Sequence, residues 1–153
     1  MKKRKLRLYL DNSVISMYYS DIPYLKKITR AFWRDIIPDC DIFISEMVIR
    51  EIGATSDAGL RKSLENLIDD IKILQESKEV ISLATLYLSK RRMPLADALH
   101  LAYASLSYID YFVTWNQKHL YKKGTQEMIE EINLANRLPI LKIITPEIFS
   151  RED

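Results

Sequence analysis

The chain has 153 residues, and its 23 Lys and Arg nearly balance its 21 Asp and Glu, so the formal net charge is only +2. This length fits a single domain over residues 1–153, and the lone cysteine, Cys40, excludes a disulfide framework and is typical of a reducing compartment. The three glycines form neither a G-x-G-x-x-G nor a G-x-x-x-x-G-K-[ST] pattern, which excludes the common phosphate-binding loops.

Short apolar strands alternate with amphipathic helices along the whole chain. In chain order we predict a strand over 6–10, a turn at 11–13, a helix from Pro23 to near Ile37, a strand over 42–44, a helix capped by Ser45, helices over 57–71 and 77–92, a helix from Pro94 to near Leu106, a strand over 111–113, a helix from Thr125 to about Leu138, and a strand over 141–144. This order predicts a three-layer α/β/α fold with a mostly parallel sheet of four or five strands.

Acidic and amide side chains follow several of these predicted strands. Asp11 directly follows the first strand, Glu51 lies about two helical turns beyond the second, and Asn116 follows the strand at 111–113. Asp97 lies in the first turn of the helix after Pro94. Ligands of parallel sheets bind outside the carboxyl ends of the strands, so we expect these side chains to share one cleft.

A cleft with three carboxylates is electrostatically unfavourable by itself, because like charges raise one another's pKa. A hard divalent cation such as Mg²⁺ or Mn²⁺ removes the repulsion, and a metal-bound water can act as a nucleophile. Each acid taken alone also has a structural explanation, as a turn residue, a cap or a partner of a helix dipole. Spacing therefore suggests a metal site without establishing one.

Four stretches of the sequence resemble the PIN domain family, in the order in which that family has them. They are LYLDNSVI at 8–15, FISEMVIRE at 43–51, ADALHLA at 96–102 and YFVTWN at 111–116. PIN domains are α/β domains, many of which are metal-dependent ribonucleases, including the VapC-like toxins of toxin–antitoxin pairs. The resemblance covers nearly the whole chain, and it implies the same fold and activity here.

The resemblance also implies roles for individual residues. Asp11, Glu51 and Asp97 correspond to the family's metal-binding acids, which contact Mg²⁺ or Mn²⁺ directly or through water. Ser13 would hydrogen-bond the Asp11 carboxylate. Asn116 stands where the family often has a fourth acid, and it would orient a ligand water or ligate through its carbonyl oxygen. Because asparagine carries no charge, the binding of a second metal is in doubt.

Several neighbouring residues keep two interpretations. Glu46 competes with Glu51 for the second acidic position, although its place at a helix start favours a capping role. His100 would be either a buried, hydrogen-bonded histidine or a participant in the site. Trp115 would either pack in the core or stack on a nucleic-acid base. His119 would either contact phosphate or support the start of a helix.

Basic residues cluster at 2–7, at 90–92 and around 118–123. We expect Arg91, Arg92, Lys118 and His119 to contact nucleic acid, with solvated helix ends as the alternative for the basic clusters.

The sequence thus predicts a metal-dependent endoribonuclease with an RNA substrate, an antitoxin protein as a further partner, and a homodimeric state. No apolar run predicts a membrane span, and the N-terminal apolar run is interrupted too early for a signal peptide, so we expect a cytoplasmic protein. The first alternative is a non-catalytic nucleic-acid-binding PIN module. The second is a small-molecule-binding α/β domain, against which the lack of a glycine-rich loop weighs.

Overall fold

A computed structural model of the protein describes residues 4–150. Its strands and helices are, in chain order, β1 Arg7–Leu10, α1 Asn12–Ser16, α2 Pro23–Asp35, β2 Asp41–Ser45, α3 Glu46–Gly53, α4 Ala58–Leu67, β3 Lys72–Leu74, α5 Lys78–Lys90, α6 Leu95–Leu106, β4 Tyr111–Val113, α7 Lys123–Ala135 and β5 Lys142–Ile144. Three short 3₁₀ turns lie at Met17–Tyr19, Ile37–Asp39 and Pro146–Phe149.

The five strands form one parallel sheet in the order β3-β2-β1-β4-β5. The central strand, β1, pairs with both neighbours through Leu8, which lies opposite Ile42 of β2 and Tyr111 of β4. Three of its four residues are buried, because helices cover both faces of this central strand. The carboxyl ends of β1 and β4 therefore lie side by side in the middle of the sheet.

Alternating side chains of β1 enter two separate cores, one on each face of the sheet. Tyr9 packs in a core with residues of α5, α6 and α7. Leu8 and Leu10 pack in the other core with residues of α1, α2, α3 and α4. Successive residues of a strand point to opposite faces, so this division follows from the period-two geometry of β1. The predicted three-layer α/β/α fold with a parallel sheet is confirmed.

The sequence did not predict the edge strand β3. The helix expected over 57–71 ends at Leu67, and Lys72–Leu74 pair with β2 through Ile73 opposite Ile44. Lys72 and Ile73 are exposed at this edge of the sheet, whereas Leu74 is partly buried and packs against the core. An exposed three-residue edge strand lacks the buried apolar run that identifies the other strands.

At three helix starts the structure adds to or differs from the prediction. Asp11 caps the short helix α1 through a bond to Ser13 N, where the sequence predicts only a turn. Ser45 is the N-cap residue of α3, but its hydroxyl does not bond the helix. Thr125 lies inside α7, which begins at Lys123, and its hydroxyl donates instead to His119 O.

Some expectations lie at the limits of the described chain. Residues 2 and 3 of the N-terminal basic cluster and residues 151–153 of the predicted domain lie outside the described residues. Among the helices between residues 4 and 150, none combines the length and the apolar character needed to cross a lipid bilayer.

Candidate active site

An open cleft of about 270 Å³ lies at the carboxyl ends of β1 and β4, where the sequence predicts the site. Helices α1, α3 and α6 contribute the rest of its walls. The cleft brings together the predicted Asp11, Ser13, Glu51, Asp97 and Asn116, and its other lining residues are Asn12, Ser16 and His100.

Asp11 is held in one orientation by three donors. Its Oδ1 accepts bonds from the backbone N and the hydroxyl of Ser13, and its Oδ2 accepts a 2.6 Å bond from Thr114 Oγ1. The Ser13 bond is the contact that the resemblance implies. Although these bonds favour the ionised form, burial raises the pKa of the Asp11 carboxyl, which is 4% exposed. The acid is therefore firmly positioned but costly to ionise.

Asp97 is half-buried in the first turn of α6. Burial is the main cause that raises the pKa of Asp97, and the negative charges of Asp11 and Glu51 raise it further. The imidazoles of His100 and His119 act in the opposite direction. The three predicted acids thus lie within electrostatic reach of one another.

Asn116 uses its side chain to organise the loop between β4 and α7. Its Oδ1 accepts bonds from the backbone N of Lys118 and His119, at 3.1 and 3.0 Å. Its Nδ2 lies 3.5 Å from Asp97 Oδ2. Since Oδ1 already has two donors, the amide directs its NH₂ group, rather than its carbonyl oxygen, to the Asp97 carboxylate.

Glu51 is bound to His100 on the floor of the cleft. Its Oε1 lies 2.7 Å from His100 Nε2, and His100 Nδ1 lies 2.7 Å from the Tyr9 hydroxyl. The Tyr9 hydroxyl in turn lies 2.7 Å from Ser45 Oγ. The structure thus agrees with the first interpretation of His100, as a buried histidine hydrogen-bonded to an acid.

The cleft offers several oxygen atoms to a divalent cation. Between residues 4 and 150 no group of three or more His, Cys, Asp or Glu side chains is arranged to hold a metal ion directly. Mg²⁺, however, commonly binds through one or two carboxylates and keeps several waters. Asp11 and Asp97 are the two carboxylates of the cleft that could hold such an ion, and Glu51 could contribute through a water. Asn12 Oδ1, at this cleft, is buried without a hydrogen-bond partner in the described chain, which leaves a further oxygen unsatisfied there.

The four residues predicted to bind nucleic acid do not line the cleft. Arg91 is partly buried, and its Nε donates to Thr125 Oγ1 at 2.9 Å. A Cβ at Gly124 would lie 2.4 Å from Arg91 Nη1, so the guanidinium occupies space that only a glycine leaves free. Arg92 and Lys118 are exposed, and His119 is half-buried near enough to affect Asp97.

Side-chain contacts distinguish between the two interpretations of Trp115 and between Glu46 and Glu51. The Trp115 indole donates to Thr29 Oγ1 at 2.9 Å and packs against the core, as its core interpretation requires. Glu46 Oε2 accepts a bond from the backbone N of Glu76 and is not among the residues that line the cleft. Glu51, not Glu46, is thus the acid of α3 that reaches the cleft.

A larger surface depression of about 350 Å³ lies between the start of α7 and β5. Three lysines line it and no acidic residue does, so it lacks the carboxylates on which the candidate chemistry depends. Its lining residues are Tyr121, Lys122, Lys123, Gln126, Lys142 and Ile143.

Two residues that support the site were not recognised from the sequence. Thr114 directly follows β4, as Asp11 follows β1, and the same positional rule could have identified it. Tyr9 lies inside an apolar strand, where its hydroxyl gives no separate signal. Its role depends on which residues the neighbouring elements place against it.

The parallel sheet, in the order β3-β2-β1-β4-β5 and covered by helices on both faces, has the PIN-like α/β fold that solved VapC toxin structures share. One similar solved structure is a toxin–antitoxin complex from Klebsiella pneumoniae, with 15% sequence identity and a TM-score of 0.62, where the match covers 91% of this chain and 97% of that one. VapBC-1 from nontypeable Haemophilus influenzae has 16% identity and a TM-score of 0.61, with 92% of this chain and 98% of that one covered. The sarcin–ricin loop cleaving toxin VapC20 from Mycobacterium tuberculosis has 11% identity and a TM-score of 0.61, with 72% of this chain and 91% of that one covered. At the level of sequence, neither a protein-family profile nor a curated protein matches the chain. The likeness confirms the predicted fold.

Proposed function

We propose that this protein is a metal-dependent endoribonuclease that hydrolyses RNA phosphodiester bonds. The observation that best supports this is the juxtaposition of Asp11 and Asp97 in an open cleft, where burial and mutual repulsion raise the pKa of Asp97. A protein that maintains such an arrangement without a cation gains no stability from it. Binding a cation from solution would convert this unfavourable electrostatic environment into a site for a phosphate group.

Mg²⁺ or Mn²⁺ would be held by Asp11 and Asp97, with Glu51 contributing directly or through a water. When bound, such an ion makes a coordinated water more acidic and stabilises negative charge on a phosphoryl oxygen. The protein's own residues prepare the site. Thr114 and Ser13 orient Asp11, as described above, and Asn116 directs its Nδ2 to Asp97.

The proposed substrate and partners follow from the solved structures that share the fold. VapC20 is described as a toxin that cleaves the sarcin–ricin loop, and the structure from K. pneumoniae is a toxin–antitoxin complex. We therefore propose RNA as the substrate and an antitoxin protein that covers the cleft. A homodimeric state and a cytoplasmic location are proposed from the sequence alone. Exposed Arg92 and Lys118 would contact RNA phosphates outside the cleft.

The test is cleavage of single-stranded RNA by purified protein with Mn²⁺, with EDTA, and after the substitution Asp97→Asn. We expect metal-dependent cleavage that falls by about 100-fold or more in Asp97→Asn, the scale on which single electrostatic or acid–base groups contribute. Asp70→Asn is the matched control, because Asp70 is exposed and lies outside the cleft. Equal cleavage by both variants would contradict the assignment of the site.

A non-catalytic nucleic-acid-binding module is the second candidate, favoured by two observations. Glu51 is bound to His100, and no three-residue metal cluster occurs between residues 4 and 150. RNA binding without cleavage in Mg²⁺ or Mn²⁺ would support this candidate and exclude the enzyme.

A further inference from the structure

A chain of hydrogen bonds runs from the core to the floor of the cleft. We call it the Tyr9–His100–Glu51 chain, after the three residues that form it. Tyr9 and His100 are 0% and 2% exposed, whereas the Glu51 side chain is 32% exposed. The chain therefore begins in the core behind the sheet and ends at the solvent-facing cleft.

We propose that His100 and Tyr9 are positioning residues for Glu51. His100 Nε2 would donate to Glu51 Oε1, and the Tyr9 hydroxyl would donate to His100 Nδ1 and so decide which ring nitrogen carries the proton. The consequence for catalysis rests on the proposed ribonuclease function. The hydrogen-bond arrangement itself rests only on the geometry.

The donors and acceptors available in the Tyr9–His100–Glu51 chain determine which atom donates in each of its hydrogen bonds. A carboxylate only accepts hydrogen bonds, so the 2.7 Å contact to Glu51 requires a proton on His100 Nε2. In a neutral imidazole the other nitrogen then accepts, and the Tyr9 hydroxyl is the donor within reach. Burial raises the pKa of Tyr9 well above its usual value, so the phenol keeps its proton. Ser45 Oγ, 2.7 Å from the Tyr9 oxygen, completes the chain as a donor to Tyr9.

Packing keeps the imidazole from turning away from Glu51. The Tyr9 ring meets the His100 ring edge to face, with centroids 5.8 Å apart. On its other side the Tyr9 ring stacks on Phe112 of β4, with centroids 5.2 Å apart. A side chain enclosed in this way has few alternative rotamers, because protein interiors are close-packed.

Within residues 4–150, the hydrogen bond of the Glu51 carboxylate is made by Oε1 and not by Oε2. Oε1 is bound to His100, so Oε2 is the atom able to accept a bond from a water or a ligand in the cleft. Residues that orient a carboxylate in this manner usually change activity or metal affinity by about 10–100-fold when they are replaced. Loss of the Tyr9 hydroxyl should therefore affect the reaction rate although Tyr9 itself does not reach the cleft.

The first experiment is NMR of the imidazole nitrogens in the metal-free protein at neutral pH. The chain has only two histidines, so the spectrum of His119→Gln identifies the signals of His100. We expect His100 to carry its proton on Nε2 in the wild-type chain and to lose this strict preference in Tyr9→Phe. A wild-type His100 that carries no proton on Nε2 would overturn the proposal.

The second experiment measures RNA cleavage by Tyr9→Phe beside a matched control, Tyr87→Phe. Tyr87 is also fully buried, and its hydroxyl bonds Ser105 and Asn133 in a separate part of the core. We expect kcat to fall about 10–100-fold in Tyr9→Phe with KM for RNA changed less than about twofold. Tyr87→Phe should change neither constant, although it removes the same kind of group from the core.

The two proposals fail in different ways. If both variants lose the same activity, the effect of Tyr9→Phe is general destabilisation and the positioning role is wrong. If the wild-type chain cleaves no RNA with Mg²⁺ or Mn²⁺, the proposed function fails. The protonation of His100 in the wild-type chain and in Tyr9→Phe then still decides whether the chain of hydrogen bonds exists.

Discussion

Thr114 and Asp11 are 103 positions apart in the chain, yet Thr114 Oγ1 donates a 2.6 Å hydrogen bond to Asp11 Oδ2. They follow β4 and β1, which pair with Val113 opposite Leu10. Thr114 Oγ1 also accepts a bond from the backbone N of Asn116 at 2.9 Å. One hydroxyl thus connects the buried acid to the loop that completes the cleft.

Thr114→Val should destabilise the protein measurably. The substitution keeps the side-chain shape but removes a donor from the buried Asp11 carboxylate and an acceptor from Asn116 N. Leaving buried polar groups unpaired costs about 1–3 kcal/mol in the free energy of unfolding. Urea denaturation measures this value. Thr85→Val is the control, since the exposed Thr85 hydroxyl bonds only Ile81 O in its own helix, and the effect should stay within about 0.5 kcal/mol.

The metal-free protein should lose stability as the pH rises from mildly acidic to neutral. Asp11 and Asp97 have pKa values raised above the ordinary 3.8, chiefly by burial. Between 3.8 and those raised values the folded protein retains protons that the unfolded chain has released, so the free energy of unfolding falls with rising pH. Thermal unfolding in EDTA across this range measures the slope, which should be shallower in Asp97→Asn than in the wild type.

The pKa of Asp110 is shifted in the opposite direction from those of Asp11 and Asp97. A hydrogen bond from Arg4 is the main cause that lowers the pKa of Asp110 below 3.8. Its contribution to stability is therefore complete above 3.8 and is lost as the pH falls through the lowered value. Asp110→Asn should reduce the loss of stability at low pH and leave the slope between 3.8 and neutral unchanged. A reduced slope in that upper range would contradict the assignment to Asp11 and Asp97.

Mn²⁺ should stabilise the wild-type protein against heat. An ion that binds only the folded state adds about 2.7 kcal/mol when its concentration is ~100 times its dissociation constant. We expect this gain to be lost in Asp97→Asn and reduced in Glu51→Gln. Glu46→Gln removes the same charge from α3 outside the cleft and should respond as the wild type does, as thermal unfolding with Mn²⁺ and with EDTA can measure. A response of Glu46→Gln as weak as that of Glu51→Gln would contradict the site.

Arg91 and Arg92 should behave differently although they are adjacent. Arg92 is exposed, and Arg92→Ala should weaken RNA binding and lower the slope of log affinity against log salt by about 1. Arg91→Ala should cost roughly 1 kcal/mol of stability, because it removes the bond to Thr125, with little change in that slope. Anisotropy titrations with labelled RNA at several salt concentrations, beside urea denaturation, distinguish the two. A loss of slope in Arg91→Ala alone would reverse these roles.

The central strands could be predicted because most of their residues are apolar, and in β1 the apolar residues alternate with a period of two. This applies to β1 and β4, whereas β3 is an exposed edge strand whose residues need not be apolar. The start of α7 was predicted at Thr125 because threonine is a common cap. The tertiary contacts of Thr125, with Arg91 and His119, use its hydroxyl for another purpose.

The positions of the candidate acids followed partly from the strand ends and partly from the resemblance to PIN domains. Asp11 and Asn116 come directly after predicted strands, so the rule for parallel sheets places them at one edge. The resemblance was needed to prefer Glu51 over Glu46. Both residues lie on α3, and in the structure it is Glu51 that lines the cleft. The partners of these groups were not predicted, since a hydrogen bond between distant residues depends on the register of neighbouring strands.

By itself, the sequence determined the alternation of strands and helices, the lack of a phosphate-binding loop, and a set of acids at the ends of strands. These properties are local, because they depend on the period of apolar residues and on residue types at element ends. Only the tertiary structure decided that Asp11 is buried with three donors, that Glu51 is bound to His100, and that Asn116 presents its NH₂ group. The Thr114 bond to Asp11 and the Glu51 contact with His100 depend on side chains from different elements meeting at distances below about 3.5 Å, the range in which hydrogen bonds form. Periodicity along one segment carries no information about such contacts.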